Sequence, residues 1–241
     1  MPQSLEKYDA IIVGAGAAGL MCAIEAGKAG LKVLILDRAK NVGKKILVSG
    51  GGKCNFTNLN ISPENYISQN PDFCRHALEA FTPKDFLRLT AKHGIEYFEK
   101  KSGQFFCAGG SEEILSLLAK ERKKAGVKII LDCEIAGISR GDDFLIGSSV
   151  GKFRSSALVI ATGGKSYPQL GASGYAYIVA EQFGIDVTEI RPALVPLVFD
   201  APEKRLFRDL RGLAIDAEVE CGTVSFRDNI LFTHKGLSGP A

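Results

Sequence analysis

The stretch Tyr8–Asp37, YDAIIVGAGAAGLMCAIEAGKAGLKVLILD, constrains this chain more than any other. An apolar run, Ala10–Val13, meets Gly14-Ala15-Gly16-Ala17-Ala18-Gly19. A small-residue helical pattern follows, then a second apolar run, Lys32–Leu36, closed by Asp37. Strand, glycine turn, helix and strand, with glycines spaced GxGxxG, match the dinucleotide-binding fingerprint in spacing and in context. Each residue type has a physical task. Gly14 permits the tight turn off the strand. Gly16 lacks the Cβ that would hold a pyrophosphate away from the backbone, and Gly19 lets the helix pack close to the sheet. The helix N-terminus offers unpaired N–H groups and the positive end of its dipole to phosphates. Asp37 follows at about the 20-residue distance of the acid that accepts a hydrogen bond from a ribose hydroxyl. Such an acid suits NAD and FAD alike and disfavours NADP, whose 2′-phosphate it would repel.

Composition bounds the rest. A chain of 241 residues with 46% hydrophobic residues can bury a sizeable core. Thirty basic against 27 acidic residues leave a net charge of +3, a balance that predicts no nucleic-acid partner. The six cysteines are scattered with no CxxC pair, which fits a reducing cytoplasm better than a disulfide framework or a zinc site. Glu25 and Lys28 interrupt the apolar run from Ala10 to Ile24 before about 20 residues accumulate, so no membrane span or signal sequence is expected.

After Asp37 comes a basic, glycine-rich segment, Arg38 to Lys45. The run Ser49-Gly50-Gly51-Gly52-Lys53-Cys54-Asn55-Phe56-Thr57-Asn58 follows, its three consecutive glycines suited to backbone wrapped around a ligand. Residues 62–104 read as a mainly helical insertion, with Asn70-Pro71 and Thr82-Pro83 opening helices to about Phe81 and to Lys92. Short strands are expected at Ile95–Phe98 and Gln104–Phe106. Ser111 is placed to cap a helix, Glu112–Ala125, which leads to a strand, Val127–Leu131, and completes a second crossover. Three short strands, Glu134–Ser139, Phe144–Gly147 and Lys152–Arg154, read as a meander. A separate apolar strand then ends in Ala161-Thr162-Gly163-Gly164, a helix covers Gly174–Phe183, and from Pro192 the pattern turns β: Leu194–Phe199, Ala214–Glu220, Thr223–Phe226 and Ile230–Phe232.

This order resembles the FAD domain of the glutathione-reductase type. The fold class expected is therefore α/β: an FAD-binding Rossmann-like domain over 1–191 with a parallel sheet, a β-meander and the helical insertion, and the start of a β-rich second domain over 192–241. The closer resemblance is to a family of bacterial NAD(P)/FAD-dependent oxidoreductases that includes a 3-dehydro-bile-acid reductase and an aminoacetone oxidase. It rests on Lys44 to Asn58, Gly103-Gln104-Phe105-Phe106-Cys107, Ala161 to Gly164, and Phe232-Thr233-His234-Lys235-Gly236-Leu237-Ser238-Gly239-Pro240-Ala241. Many relatives have proline where this chain has Cys107. The resemblance implies bound FAD, with NAD(P)H as a candidate transient electron donor and a small organic substrate. Asp37 would hold the adenosine ribose, Lys44 and Lys45 would neutralise the diphosphate or line its entry, Arg38 would belong to the same cofactor site, and Ser49 to Asn58 would run along the ribityl chain and flavin. Backbone at Glu134 and Ile135 would meet the adenine, and Ala161 to Gly164 would approach the cofactor. Relatives are longer, and their C-terminal part supplies the flavin half of the site, so the chain is expected to be C-terminally truncated.

Candidates for chemistry are few. Cys54 lacks the partner thiol of a disulfide reductase, since Leu59 stands where a second cysteine would, and a packing role is expected for it. His234, in a Thr-His-Lys-Gly turn, is the one candidate proton donor. His76 and His93 read as surface or packing residues, and Lys165 and Tyr167 follow the Ala-Thr-Gly-Gly turn. The resemblance thus implies a flavin-dependent oxidoreductase, and the scattered cysteines a cytoplasmic one. Its rivals are a non-catalytic dinucleotide-binding protein and a tRNA-acting flavoprotein, the last disfavoured by the near-neutral charge.

Overall fold

The computed structural model describes residues 5–240. Met1–Ser4 of the polar lead-in, and Ala241 at the end of the last motif, lie outside the described residues. Two compact units divide the chain, the first ending at Ile185 and the second beginning at Asp186.

The first unit opens with β1 (Lys7–Val13), α1 (Ala17–Lys28) and β2 (Val33–Leu36). Then come α2 (Lys44–Val48), β3 (Asn55–Asn58), α3 (Arg75–Ala80), α4 (Pro83–Lys92), β4 (Tyr97–Glu99), β5 (Gln104–Cys107) and α5 (Ser111–Lys124). It closes with β6 (Lys128–Ile130), β7 (Ile135–Arg140), β8 (Phe144–Ser148), β9 (Gly151–Ile160) and α6 (Tyr175–Gln182). A six-stranded sheet in the order β6-β2-β1-β9-β8-β7 forms its centre. Four strands run parallel, and β8 and β7 extend them antiparallel. Alternating strand residues feed two cores. Ile12 and Ile35 pack with Leu20, Ile24, Leu117 and Leu118 of α1 and α5, whereas Ile11, Leu34 and Leu36 pack with Ile138, Ile146 and Val179. Both faces are covered, which is why β1 and β2 read as continuous apolar runs.

Several local expectations are corrected. The third meander strand and the returning apolar strand are one element, β9: Arg154 pairs Leu145 antiparallel while Ala157 pairs Ala10 parallel. Ser155, between the two expected strands, is buried and its hydroxyl donates to Ala157 O at 2.7 Å, so the strand runs on. Ser111 does not cap α5. Gly110 holds the cap position, and the Ser111 hydroxyl donates to Leu47 O at 2.8 Å, tying α5 to α2. The insertion is not helical alone: its strand β4 joins β5 and the preceding β3 in a three-stranded sheet, β3-β5-β4. At its centre Thr82 and Asp85 cap α4 reciprocally, Asp85 Oδ2 accepting from Thr82 N at 2.8 Å.

The second unit is a four-stranded antiparallel sheet in the order β10-β13-β12-β11. Its strands are β10 (Leu197–Val198), β11 (Ala214–Cys221), β12 (Val224–Phe232) and β13 (Gly236–Ser238), with a short helix, α7 (Ala201–Leu206), after β10. The expected strands Thr223–Phe226 and Ile230–Phe232 are joined as β12. No helix among the described residues is long and apolar enough to cross a membrane.

Candidate functional site

The carboxyl ends of β1, β2 and β9 open onto a cleft of about 1090 Å³ in the first unit. That exceeds the ~300–1,000 Å³ of an ordinary small-molecule site and leaves room for a dinucleotide. The glycine turn forms its floor. Gly14 adopts φ +114°, and a Cβ there would stand 2.4 Å from Ala161 O. A Cβ on Gly19 would stand 1.9 Å from Gly14 O, so its hydrogen is what lets α1 reach the sheet. Gly16 is different: a Cβ on it meets nothing within 4 Å, because the residue faces the open cleft. One glycine thus faces open cleft, and two are required by packing.

Gly14, Ala15, Gly16, Ala17, Ala18, Asp37, Arg38, Lys44, Lys45, Ser49, Cys54, Asn55, Phe56, Glu134, Ile135, Ala161, Thr162 and Gly163 all line this cleft. Gly19, Gly50, Gly51, Gly52, Thr57, Asn58 and Gly164 stand outside its wall. The three glycines do not wrap the cleft. They form a left-handed turn, at φ 57°, 65° and 85°, that brings the chain back so that Cys54 and Asn55 reach the wall. Asn58 is engaged locally, its Oδ1 accepting from Asn60 N at 2.8 Å. A Cβ on Gly164 would meet Tyr177 OH at 2.9 Å.

Asp37 is held rather than free. Its Oδ2 accepts from Ala15 N at 2.5 Å and its Oδ1 from Ala39 N at 2.7 Å. A carboxylate has about four acceptor sites, so two bonds leave capacity for a ribose hydroxyl. Glu134 spends its backbone locally too, its N–H donating to Ser149 Oγ at 3.0 Å and its carbonyl accepting from Ser149 N at 2.8 Å. Thr162 Oγ1 is buried without a hydrogen-bond partner among the described residues, at the edge of the cleft. Lys45 Nζ lies close by, 3.7 Å from where a Cβ on Gly163 would stand. Arg38, Lys44 and Lys45 against Asp37 and Glu134 give the wall a basic excess. An open cradle at Gly16, an unsatisfied hydroxyl and two ammonium groups near a helix N-terminus fit a dinucleotide diphosphate.

A second wall was not legible in the sequence. Leu170, Gly171, Ala172, Ser173, Gly174, Tyr175 and Ile178 also line the cleft. This segment is fastened by Arg38, whose guanidinium donates to Gly171 O. Burial raises the Tyr175 phenol above its ordinary value. It also raises the Cys54 thiol, against a smaller opposing effect of the Ser49 hydroxyl. Lys165 and Tyr167 are not part of the wall. His234 is exposed in the turn between β12 and β13 of the second unit, where the Thr233 hydroxyl accepts from Gly236 N at 3.1 Å. His76 is exposed, while the side chain of the half-buried His93 is turned inward, its Nε2 2.8 Å from Glu121 Oε1.

The family profile described as the HI0933-like protein Rossmann domain matches residues 8–236. The chain belongs to the HI0933-like family. It is a family of flavoproteins with a Rossmann-type domain, whose relatives are flavin oxidoreductases. A ribosomal RNA dihydrouridine synthase of Escherichia coli is 47% identical over 98% of this chain and 60% of its own length. A 3-dehydro-bile acid Δ(4,6)-reductase of Clostridium scindens is 31% identical over 86% of this chain and 51% of its own. The chain therefore spans about half to three-fifths of the length of these two relatives. Among solved structures, a flavocytochrome c3 fumarate reductase in its open conformation shares the fold, with a TM-score of 0.56 and 18% identity over 88% of this chain and 47% of its own. The expectation of no nucleic-acid partner is overturned by the relative named for ribosomal RNA. A net charge averages over the whole surface and is silent about local contacts, and chemistry on a single base demands a cleft more than a basic tract.

Proposed function

We propose that this HI0933-like chain forms the FAD-binding part of a flavin-dependent reductase that converts uridine to dihydrouridine in ribosomal RNA. The observation that carries the reading is the identity, maintained along nearly the whole chain, with a protein named for that reaction. The bile-acid reductase supports the chemistry, because both names describe saturation of a carbon–carbon double bond conjugated to a carbonyl. The reading replaces a small organic molecule as the expected substrate.

In this account the cleft residues divide the work. The N-terminus of α1, with Gly16 open above it, receives the diphosphate, and Lys44 and Lys45 offset its charge. Asp37 accepts from the adenosine ribose while keeping its bonds to Ala15 and Ala39. Thr162 Oγ1 gains the partner it lacks. Arg38 holds the 170–174 segment as the far wall of the cleft. Bound and reduced FAD would supply a hydride to C6 of the uracil ring, with a proton delivered to C5 and the two electrons restored by a donor such as NAD(P)H. The wall of Ser49, Cys54, Asn55 and Phe56 then borders the reacting base.

The test is restoration of a modification. The natural full-length protein is expressed in bacteria that lack their own ribosomal RNA dihydrouridine synthase, and ribosomal RNA nucleosides are measured by mass spectrometry. Dihydrouridine returns if the reading is correct. Its continued absence from cells that contain the folded, flavin-bearing protein would overturn it.

A further inference from the structure

Three consecutive residues, Cys54, Asn55 and Phe56, all line the cleft. A regular strand cannot do this, because successive side chains point to opposite faces. Two irregularities allow it. Cys54 sits at φ 48°, in the left-handed region. The β3–β5 ladder then slips: Asn55 faces Phe106 and Thr57 faces Phe105, so Phe56 is an extra residue on its strand. Bulges of this kind re-aim side chains and recur beside active sites.

The result is a small wall of definite chemistry. Phe56 and Phe86, from β3 and α4, have ring centroids 5.5 Å apart at 37°, and both border the cleft. Asn55, exposed on the same cleft wall, makes no side-chain hydrogen bond to any of the described residues. An Asn amide offers a carbonyl acceptor and an N–H donor side by side. That pair complements adjacent N–H and C=O groups on one edge of a ring, while aromatic faces next to it hold the ring flat.

We propose that Asn55, Phe56 and Phe86 form a subsite for a cyclic imide, the C(=O)–NH–C(=O) edge of a planar pyrimidinedione. Asn55 accepts from the ring N–H and donates to one flanking carbonyl, and the phenyl rings border the ring plane. Two molecules in this account carry that edge: the target uracil and the pyrimidine ring of the flavin. The uracil case rests on the proposed function; the flavin case does not. The site reads the imide edge in both, and a bulged strand at this position is what makes it available.

The experiment uses the full-length, FAD-loaded protein and its Asn55→Ala and Asn55→Asp variants, each first checked for an unchanged melting temperature. One arm measures binding of uridine-containing RNA against the same RNA carrying N3-methyluridine, which lacks the imide N–H. The other reconstitutes apoprotein with FAD or N3-methyl-FAD and records affinity and the visible flavin spectrum. If uracil occupies the subsite, the parent prefers the unmethylated RNA by about tenfold, and both variants lose that preference with FAD affinity intact. If the flavin occupies it, the parent discriminates between the two cofactors and the variants do not, with a displaced flavin spectrum. Parent protein indifferent to N3-methylation in both arms, or variants that keep the discrimination, would overturn the proposal. Parent protein that ignores uridine RNA altogether while discriminating between the flavins would sink the proposed function and leave the subsite standing.

Discussion

Two glycines three residues apart separate ligand space from packing. In Gly19→Ala the new Cβ would sit 1.9 Å from Gly14 O and 3.4 Å from Ala161 Cβ. Both neighbours belong to strand ends that α1 must touch, so the helix has to lift from the sheet by more than an ångström. Overpacking against backbone costs about 3 kcal/mol or more, a large share of the ~5–15 kcal/mol that holds a domain together. In Gly16→Val the added side chain enters open cleft from an extended backbone, φ −81° and ψ −172°, that valine adopts readily. Its only folding cost is a poorer helix N-cap, about 1 kcal/mol. Its cost to binding is steric exclusion of the diphosphate, at least ~tenfold in ADP affinity, equal to about 1.4 kcal/mol. Urea titration and ADP calorimetry on the two variants separate the effects. Gly19→Ala should unfold at much lower urea, whereas Gly16→Val should unfold near the parent midpoint and bind ADP weakly. The reasoning fails if Gly16→Val loses as much stability as Gly19→Ala, or binds ADP as the parent does.

Arg38→Met leaves the aliphatic stem and removes the bond to Gly171 O, worth about 1 kcal/mol; FAD should leave roughly fivefold faster in stopped-flow displacement, with thermal stability nearly unchanged. Asp37→Ala releases the N–H groups of Ala15 and Ala39 as well as the ribose, so it should lower both the melting temperature and ADP affinity, and a loss of affinity alone would contradict the observed bonds. Glu121 is held down at about 2 from an ordinary 4.5, first by its bond with His93 and then by Lys124. A depressed carboxyl stabilises the fold above its unfolded value, and that contribution fades as pH falls from about 4.5 toward 2. Glu121→Gln should therefore cost stability near pH 7, with the gap from the parent closing below about pH 4; a gap that widens in acid would be the wrong sign.

The fingerprint was legible because each of its residues answers to a local rule: turn, close approach, helix contact and terminal acid all lie within one βαβ unit. The Thr82-Pro83 start of α4 was legible for the same reason, since its cap is completed three residues later by Asp85. Features set by distant partners were not. Ser155 and Ser156 are polar, yet they continue the strand because Ser155 is buried and pairs with Tyr8 of β1. The Leu170–Tyr175 wall is small, polar and glycine-rich, and its link to Arg38 spans 133 positions. The bulge at Phe56 leaves no mark in a two-residue alternation so short. The proposed RNA partner has no signal in the charge count, which cannot locate a cleft for one base.

The most direct test of the account is a single turnover without oxygen. The natural full-length protein is reduced at its flavin, mixed with unmodified ribosomal RNA, and followed at once by flavin absorbance and by nucleoside mass spectrometry. The account predicts that the flavin reoxidises and that one dihydrouridine appears for each flavin oxidised. A flavin that stays reduced with RNA yet reoxidises promptly with a steroid enone would contradict it.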